Sequence, residues 1–347
     1  MVIPVSIPRV PRIALTIGDP AGIGPEVVLK ALAQKNWQTQ CQITLVGTAS
    51  VLHSCYQSLE HRGHISDPDQ WELLELPCAS FTLGSAQASS GAASFHYLKR
   101  AIQETLAGRF DGIVTAPISK SAWHQAGHFY PGQTELLAQL SDVERYGMMF
   151  HARSPHTNWA LRVLLATTHI PLRLVPEVLN SQLVRQKLDL FLEVLRQDFN
   201  EPDPQIAVAG LNPHAGEAGA LGTEEVEWLA PLLAQYPQVT GPVPPDTLWV
   251  QPGQLWQDSH TPAKGYSGYL ALYHDQGLIP VKLLAFDRAV NVTVGLPLVR
   301  TSPDHGTAFD IAGQGIADAK SMMHAMELAI ELILNRSKRE QHASARP

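Results

Sequence analysis

Apolar residues in this 347-residue chain gather in short continuous runs, and between the runs they recur at helical spacing. Runs at 12–17, 43–46, 112–115, 163–168, 206–209 and 269–273 have the length of buried strands. The intervening pattern predicts helices at 25–33, 91–107, 180–199, 223–233 and 318–335. Pro25 suits a first helical turn. In the helix over 180–199, Leu183, Leu188, Phe191, Leu192 and Leu195 share the apolar face, and Glu201-Pro202-Asp203-Pro204 stops it. The proline-rich stretch 241–246 reads as an ordered loop, and the polar tail from Ser337 is expected to fray. Strand and helix alternate almost throughout, the pattern of an α/β fold with largely parallel strands. A chain this long is expected to form two lobes rather than one.

Composition narrows the class. With 45% hydrophobic and 16% charged residues the chain reads as an ordinary globular protein. A formal net charge of −7 argues against a nucleic-acid partner. No apolar run reaches the length of a membrane span. The first eight residues lack a basic segment and are broken by prolines, so no signal peptide is expected. Cys41, Cys55 and Cys78 show no metal-binding spacing, which fits reduced thiols and a cytoplasmic protein.

The chemistry concentrates in histidines and glycines. His169 ends the run at 163–168, His214 follows the run at 206–209 within Asn212-Pro213-His214-Ala215-Gly216, and His274 follows the run at 269–273. Strand ends hold ligands in α/β proteins, and neutral imidazole is a common ligand of catalytic metals. On the residues alone, a hydrogen-bonded structural histidine is the commoner reading for each. The loop Gly18-Asp19-Pro20-Ala21-Gly22-Ile23-Gly24-Pro25-Glu26 follows the first strand, yet it has neither Rossmann nor P-loop spacing. A second glycine loop, His305-Gly306-Thr307-Ala308-Phe309-Asp310-Ile311-Ala312-Gly313, precedes the last helix.

These two loops resemble, in order, the Gly-Asp-Gly-Ile-Gly-Pro-Glu opening and the cofactor loop of the isocitrate and isopropylmalate dehydrogenases. The chain is more similar still to one branch, the 4-hydroxythreonine-4-phosphate dehydrogenases of vitamin B6 synthesis. That similarity rests on VTAPISK at 114–120, ATTH at 166–169, NPHAG at 212–216 with GTEE at 222–225, PDT at 245–247, and YHDQG at 273–277. Lys282, Asn291-Val292-Thr293, Gly295-Leu296-Pro297 and Arg300-Thr301-Ser302 complete the set.

The resemblance implies two α/β lobes, 1–130 with 300–347 and 131–299, and an active-site cleft between them. It makes His169, His214 and His274 the ligands of one divalent ion, with one of them donated across a homodimer interface. Zinc suits three nitrogen donors, and magnesium, manganese or cobalt are alternatives. Mixing His169→Ala with His274→Ala subunits is then expected to rebuild one intact site. NAD or NADP would lie along His305, Gly306 and Thr307, with Asp310 or Asp318 toward its adenosine half. Gln133, Thr134, Lys282, Asn291 and Arg300 would bind a phosphorylated substrate, and Asp246 and Lys282 are the candidate catalytic groups. Lys120 is a further cation for the same cleft.

The implied reaction oxidises 4-phosphooxy-L-threonine. One departure bears on substrate: the family has Gly-His-Thr-Glu where this chain has Gly132-Gln133-Thr134-Glu135, and Gln133 cannot become cationic. The same chemistry on a tetronate 4-phosphate therefore stays open. A phosphate acyltransferase of the same fold is the alternative from another class, and it needs neither metal nor hydride acceptor.

Overall fold

The computed structural model describes residues 10–260 and 265–344, so the first nine residues, on which the signal-peptide expectation rests, lie outside the described residues. Strands among the described residues are β1 (Arg12–Thr16), β2 (Gln42–Gly47), β3 (Glu72–Glu75), β4 (Gly112–Thr115), β5 (Gly147–Arg153), β6 (Ala160–Leu165), β7 (Ile206–Ala209), β8 (Val239–Val243), β9 (Gly268–Ala271), β10 (Val290–Val294) and β11 (Val299–Pro303). The chain divides into two compact units, Met1–Glu144 with Leu296–Pro347, and Arg145–Gly295. Gln133 and Thr134 thus belong to the first unit, and all three histidines to the second.

In the first unit the strands run β3-β2-β1-β4-β11, with every pair parallel. Ile13, Ala14 and Leu15 of β1 are fully buried, as expected of a central parallel strand covered on both faces. Helices Gly24–Ala33, Ala88–Leu106 and Lys320–Ser344 flank these strands in the chain. Pro25 starts the first of them, where its missing N–H costs nothing.

The second unit orders its strands β10-β5-β6-β9-β7-β8. The β10–β5 and β5–β6 pairs are antiparallel, whereas β6, β9, β7 and β8 are mutually parallel. The C-terminal ends of β6, β9 and β7 therefore open on one edge of the sheet. The helix Ser181–Gln197 buries Val184, Leu188, Phe191, Leu192 and Leu195 and exposes its charged face.

Three expectations need correction. The 241–246 stretch is not a loop: it contributes to β8 and opens the helix Pro245–Leu248. The helix expected over 223–233 begins as a π turn, Glu225–Leu229, before the α turn Ala230–Leu233. The last helix continues through the polar tail to Ser344. Lys, Arg, Glu and Gln propagate a helix well once nucleated, without an apolar stripe.

The cysteines are free, and burial pushes the Cys41 and Cys55 thiols up to about 12, far from the range of a reactive thiolate. No helix among the described residues is long and apolar enough to cross a membrane. Glu327 ties the last helix to Lys35. Burial alone would raise its carboxyl, but hydrogen bonds from His324 Nδ1, at 2.9 Å, and from Lys35 pull it down to about 2. Its stabilising contribution is full above the ordinary 4.5 and is lost as pH falls through about 2. Glu327→Gln is expected to cost about 1 kcal/mol at pH 7 in urea unfolding, with the gap narrowing as pH drops below 4.5.

Candidate active site

Backbone bonds continue the β6–β9 pairing past the strand ends. Ala166 N–H donates to Ala271 O at 2.8 Å, and both the N–H and the hydroxyl of Thr167 donate to Leu272 O. This register brings the next side chains together: the His169 and His274 ring centroids lie 5.5 Å apart. His274 is the first residue of the helix His274–Ala285. Its Nδ1 donates to Asp275 Oδ1 at 2.7 Å, which leaves the Nε2 lone pair for a ligand. His214 stands apart from this pair, with 65% of its side chain exposed and its Nδ1 4.0 Å from Asp246 Oδ2. Among the described residues of one chain, no three His, Cys, Asp or Glu side chains gather as a metal site. One chain thus brings together two imidazole donors, a fit to part of a nitrogen-ligated divalent site.

His214 sits on an unusual backbone. Residues His214 to Ala218 carry φ values of 52°, 53°, 80°, 45° and 56° in succession. Only Gly216 takes such a conformation without strain. For an L-residue each left-handed position costs roughly 1–2 kcal/mol. Two buried side chains anchor the chain that leads into the turn. Glu225, buried at the start of the π turn, accepts from the N–H groups of Leu211 and Asn212, both at 2.8 Å. Gln276 accepts from Leu272 N–H and donates to Gly210 O, both at 2.7 Å, so it straps the His274 loop to the His214 loop. Neither residue was singled out from sequence, although each lies inside a quoted string, GTEE and YHDQG. For Gln276 the available signal was a polar side chain just past a strand-end apolar run, where burial demands partners; the acidic string around Glu225 reads as an exposed helix start.

The candidate anion-binding groups occupy both units. In the first, Arg300 of β11 is 3% exposed and its Nη2 donates to Thr115 Oγ1 at 2.8 Å. Burial lowers its pKa to about 10, with Glu135 opposing the shift. Gln133 opens the helix Gln133–Leu140, and its Nε2 reaches Ala116 O at 3.4 Å. Arg300 and Gln133 therefore both anchor at the end of β4, and Thr134 is buried beside Gln133. The Lys120 ammonium lies beside Gly132, 3.8 Å from where a Cβ would stand. In the second unit, Lys282 lies on the helix opened by His274, its ammonium 5.4 Å from the centre of the Phe286 ring. Asn291 of β10 pairs with Phe150 of β5. The buried acceptors Gln133 Oε1 and Asn291 Oδ1 have no donor among the described residues, as substrate-facing groups can.

The two glycine loops, far apart in sequence, meet in the first unit. Ile23 N–H donates to Thr307 O at 2.9 Å, and a Cβ on Gly22 would stand 2.7 Å from that oxygen. Glycine is required there for the loops to touch. His305 Nδ1 donates to Gly306 O at 3.1 Å, and Asp310 is exposed. Asp318 accepts from Lys320 N–H at 2.9 Å, and it lines a cavity of about 350 Å³ together with Lys30, Arg62, His64 and Lys320. The Lys30 ammonium there is committed to Glu26, Gly315 O and Ala317 O. The two loops thus touch at Gly22, Ile23 and Thr307, and Asp318 has a helix-start role of its own.

Residues 32–329 match the family described as pyridoxal phosphate biosynthetic protein PdxA. A 4-hydroxythreonine-4-phosphate dehydrogenase from Synechococcus sp. (strain JA-3-3Ab) is 60% identical over 333 residues, 94% of this chain and 95% of the relative. The crystal structure of a 4-hydroxythreonine-4-phosphate dehydrogenase from Klebsiella pneumoniae superposes with a TM-score of 0.78 at 38% identity, covering 95% of this chain and 100% of that one. An isocitrate dehydrogenase from Methylococcus capsulatus shares the fold alone, at 15% identity and a TM-score of 0.50 over 96% of this chain and 89% of that one. The expected isocitrate dehydrogenase-like α/β fold is therefore the observed one. By the extent of the family match and the identity to its relatives, the chain belongs to the PdxA family of pyridoxal phosphate biosynthetic proteins.

Proposed function

We propose that this chain oxidises the C3 hydroxyl of 4-phosphooxy-L-threonine, with NAD or NADP as hydride acceptor and one divalent ion per site. The product, 2-amino-3-oxo-4-phosphooxybutanoate, loses carbon dioxide to give 3-amino-2-oxopropyl phosphate. The observation that carries the reading is the pair of imidazoles at the adjoining ends of β6 and β9 in a chain of this family. His169, His274 and His214 would hold the ion, with His214 supplied by a second copy, because a single chain gathers only the first two.

When bound, the ion supplies electrophilic stabilisation at the substrate oxygen and the nicotinamide supplies the hydride acceptor. Asp246 Oδ2 takes the proton of the C3 hydroxyl; its carboxylate is more than half exposed beside His214. Arg300 presents a planar guanidinium to the phosphate, and Lys282 a point charge to the substrate's anionic end. Gln133, Thr134 and Asn291 orient the substrate through hydrogen bonds, the first and last with acceptors that await a donor. His305, Gly306 and Thr307 line the cofactor path, with Asp310 or Asp318 toward its adenosine half.

A cytoplasmic homodimer completes the reading. The helix that begins at His274 exposes Ile279, Leu283 and Phe286 at 58%, 80% and 75%, spaced to form one apolar stripe. Covering that stripe with a second copy would bury it next to the metal-binding edge. Leu283→Arg is expected to shift sedimentation from dimer to monomer and to remove activity along with the dimer. An active monomer would contradict the shared site.

The substrate is tested by steady-state NAD reduction with 4-phosphooxy-L-threonine and with a tetronate 4-phosphate, each with and without a chelator. A clear preference for the threonine phosphate, abolished by chelator and restored by zinc, is expected. Equal or reversed preference would move the assignment to the tetronate. Acyl-phosphate formation without NADH would move it to the transferases.

A further inference from the structure

We infer that Glu225 is a positioning residue for His214: its carboxylate fixes the left-handed turn that aims the imidazole. This rests on the reading of His214 as a metal ligand. The His214 ring is mostly exposed, and its nearest acidic group, Asp246, stands 4.0 Å away. Its orientation must therefore come from the backbone beneath it. Glu225 is 2% exposed; it is bonded to the chain just before the turn and lies beside Gly216 within it. Before the turn, Oε1 accepts from Leu211 and Asn212 N–H. Oε2 accepts from Asn212 Nδ2 at 2.9 Å, and Glu224 Oε2 takes the second proton of the same amide at 2.8 Å. Within the turn, a Cβ on Gly216 would stand 2.7 Å from Glu225 Oε2, so the carboxylate is packed against the chain there as well.

The chemistry of the side chain matters as much as its place. Three N–H donors face two oxygens that only accept, and a carboxylate alone offers that pattern. A glutamine would turn an NH₂ group toward Asn212 Nδ2 and set donor against donor. Flipping the Asn212 amide would relieve that clash only by aiming its oxygen at Glu224. The π turn Glu225–Leu229 presents this carboxylate, and such turns recur at functional sites. Holding a ligand in its bound orientation beforehand removes an ordering cost from binding.

The test is zinc affinity of the full-length protein by competition with a chromophoric chelator, for wild type, Glu225→Gln, Asn212→Ala, His214→Ala and Glu227→Gln. Glu227 is exposed in the same turn and serves as control. Glu225→Gln is expected to weaken zinc binding about ten- to a hundredfold, as loss of a group that orients a ligand does, with His214→Ala weaker still and Glu227→Gln unchanged. In the metal-free protein, Glu225→Gln is also expected to speed amide exchange in 211–218 and leave β6 and β9 protected. Should Glu225→Gln fold poorly, Asn212→Ala, which removes only the side-chain half of the clamp, carries the same prediction at smaller amplitude. Wild-type zinc affinity in a folded Glu225→Gln or Asn212→Ala protein, with binding lost in His214→Ala, would overturn the positioning role and spare the ligand assignment. Wild-type affinity in His214→Ala would overturn both. A lowered melting temperature with unchanged zinc affinity would mark Glu225 as merely structural.

Discussion

His274→Ala is expected to lower kcat/KM about a thousandfold or more, roughly 4 kcal/mol of transition-state stabilisation, without unfolding the protein. The imidazole is a partly exposed side chain at the start of a helix, so its loss removes little packing. It does remove one of two adjacent nitrogen donors, one whose tautomer Asp275 fixes. The checks are steady-state kinetics at saturating zinc and thermal unfolding of the same samples. A variant that keeps near-normal turnover would exclude His274 from the site.

The second large effect is expected at Arg300, with opposite signs for binding and stability. Its guanidinium is 3% exposed, and burial depresses its pKa from 12.5 to about 10. A lowered pKa in a base means that folding penalises the charged form. At neutral pH both folded and unfolded chains carry the charge, so the penalty is fully present; it lifts only as pH rises from about 10 toward 12.5. An uncharged side chain of similar volume avoids it. Arg300→Met is therefore expected to raise unfolding free energy by about 1–3 kcal/mol. It is also expected to raise KM about a hundredfold, because a phosphate loses its bidentate partner, with kcat changed much less. Such a residue trades stability for binding. A lower melting temperature with unchanged KM would make Arg300 a structural cation.

Much of this organisation can be read from the chain, and the residues show where reading stops. β4 and β7 were expected at the bounds they have, since short apolar runs in a parallel sheet are buried on both faces and need no periodicity. The strand-end positions of His169 and His214 followed from the same runs, as did that of His274. That His274 also opens a helix did not, because Pro280 and Gly277 disguise the pattern that follows. The left-handed turn at His214 was not legible either: alanine and glutamate at positive φ contradict local preference, and the bonds that Glu225 and Gln276 make to the chain leading into it are tertiary. The meeting of the two glycine loops is likewise a tertiary fact, set by β1 and β11 both lying beside β4.

Which histidine a second copy would supply bears on how variants should complement: the His169 and His274 rings lie 5.5 Å apart on one chain, the arrangement in which the proposal takes them as a pair. A pair supplied in cis fails in both halves of a hybrid of His169→Ala with His274→Ala.

The most direct measurement is subunit complementation between His274→Ala and His214→Ala, each inactive alone. In a hybrid dimer one site would lose both kinds of donor and the other would keep all three. Random equal mixing should therefore restore about a quarter of the wild-type NADH rate, since half the dimers are hybrids and each has one intact site. His169→Ala mixed with His274→Ala should stay inactive. No recovery in the first mixture, with hybrid dimers demonstrated, would contradict a three-histidine centre shared between copies.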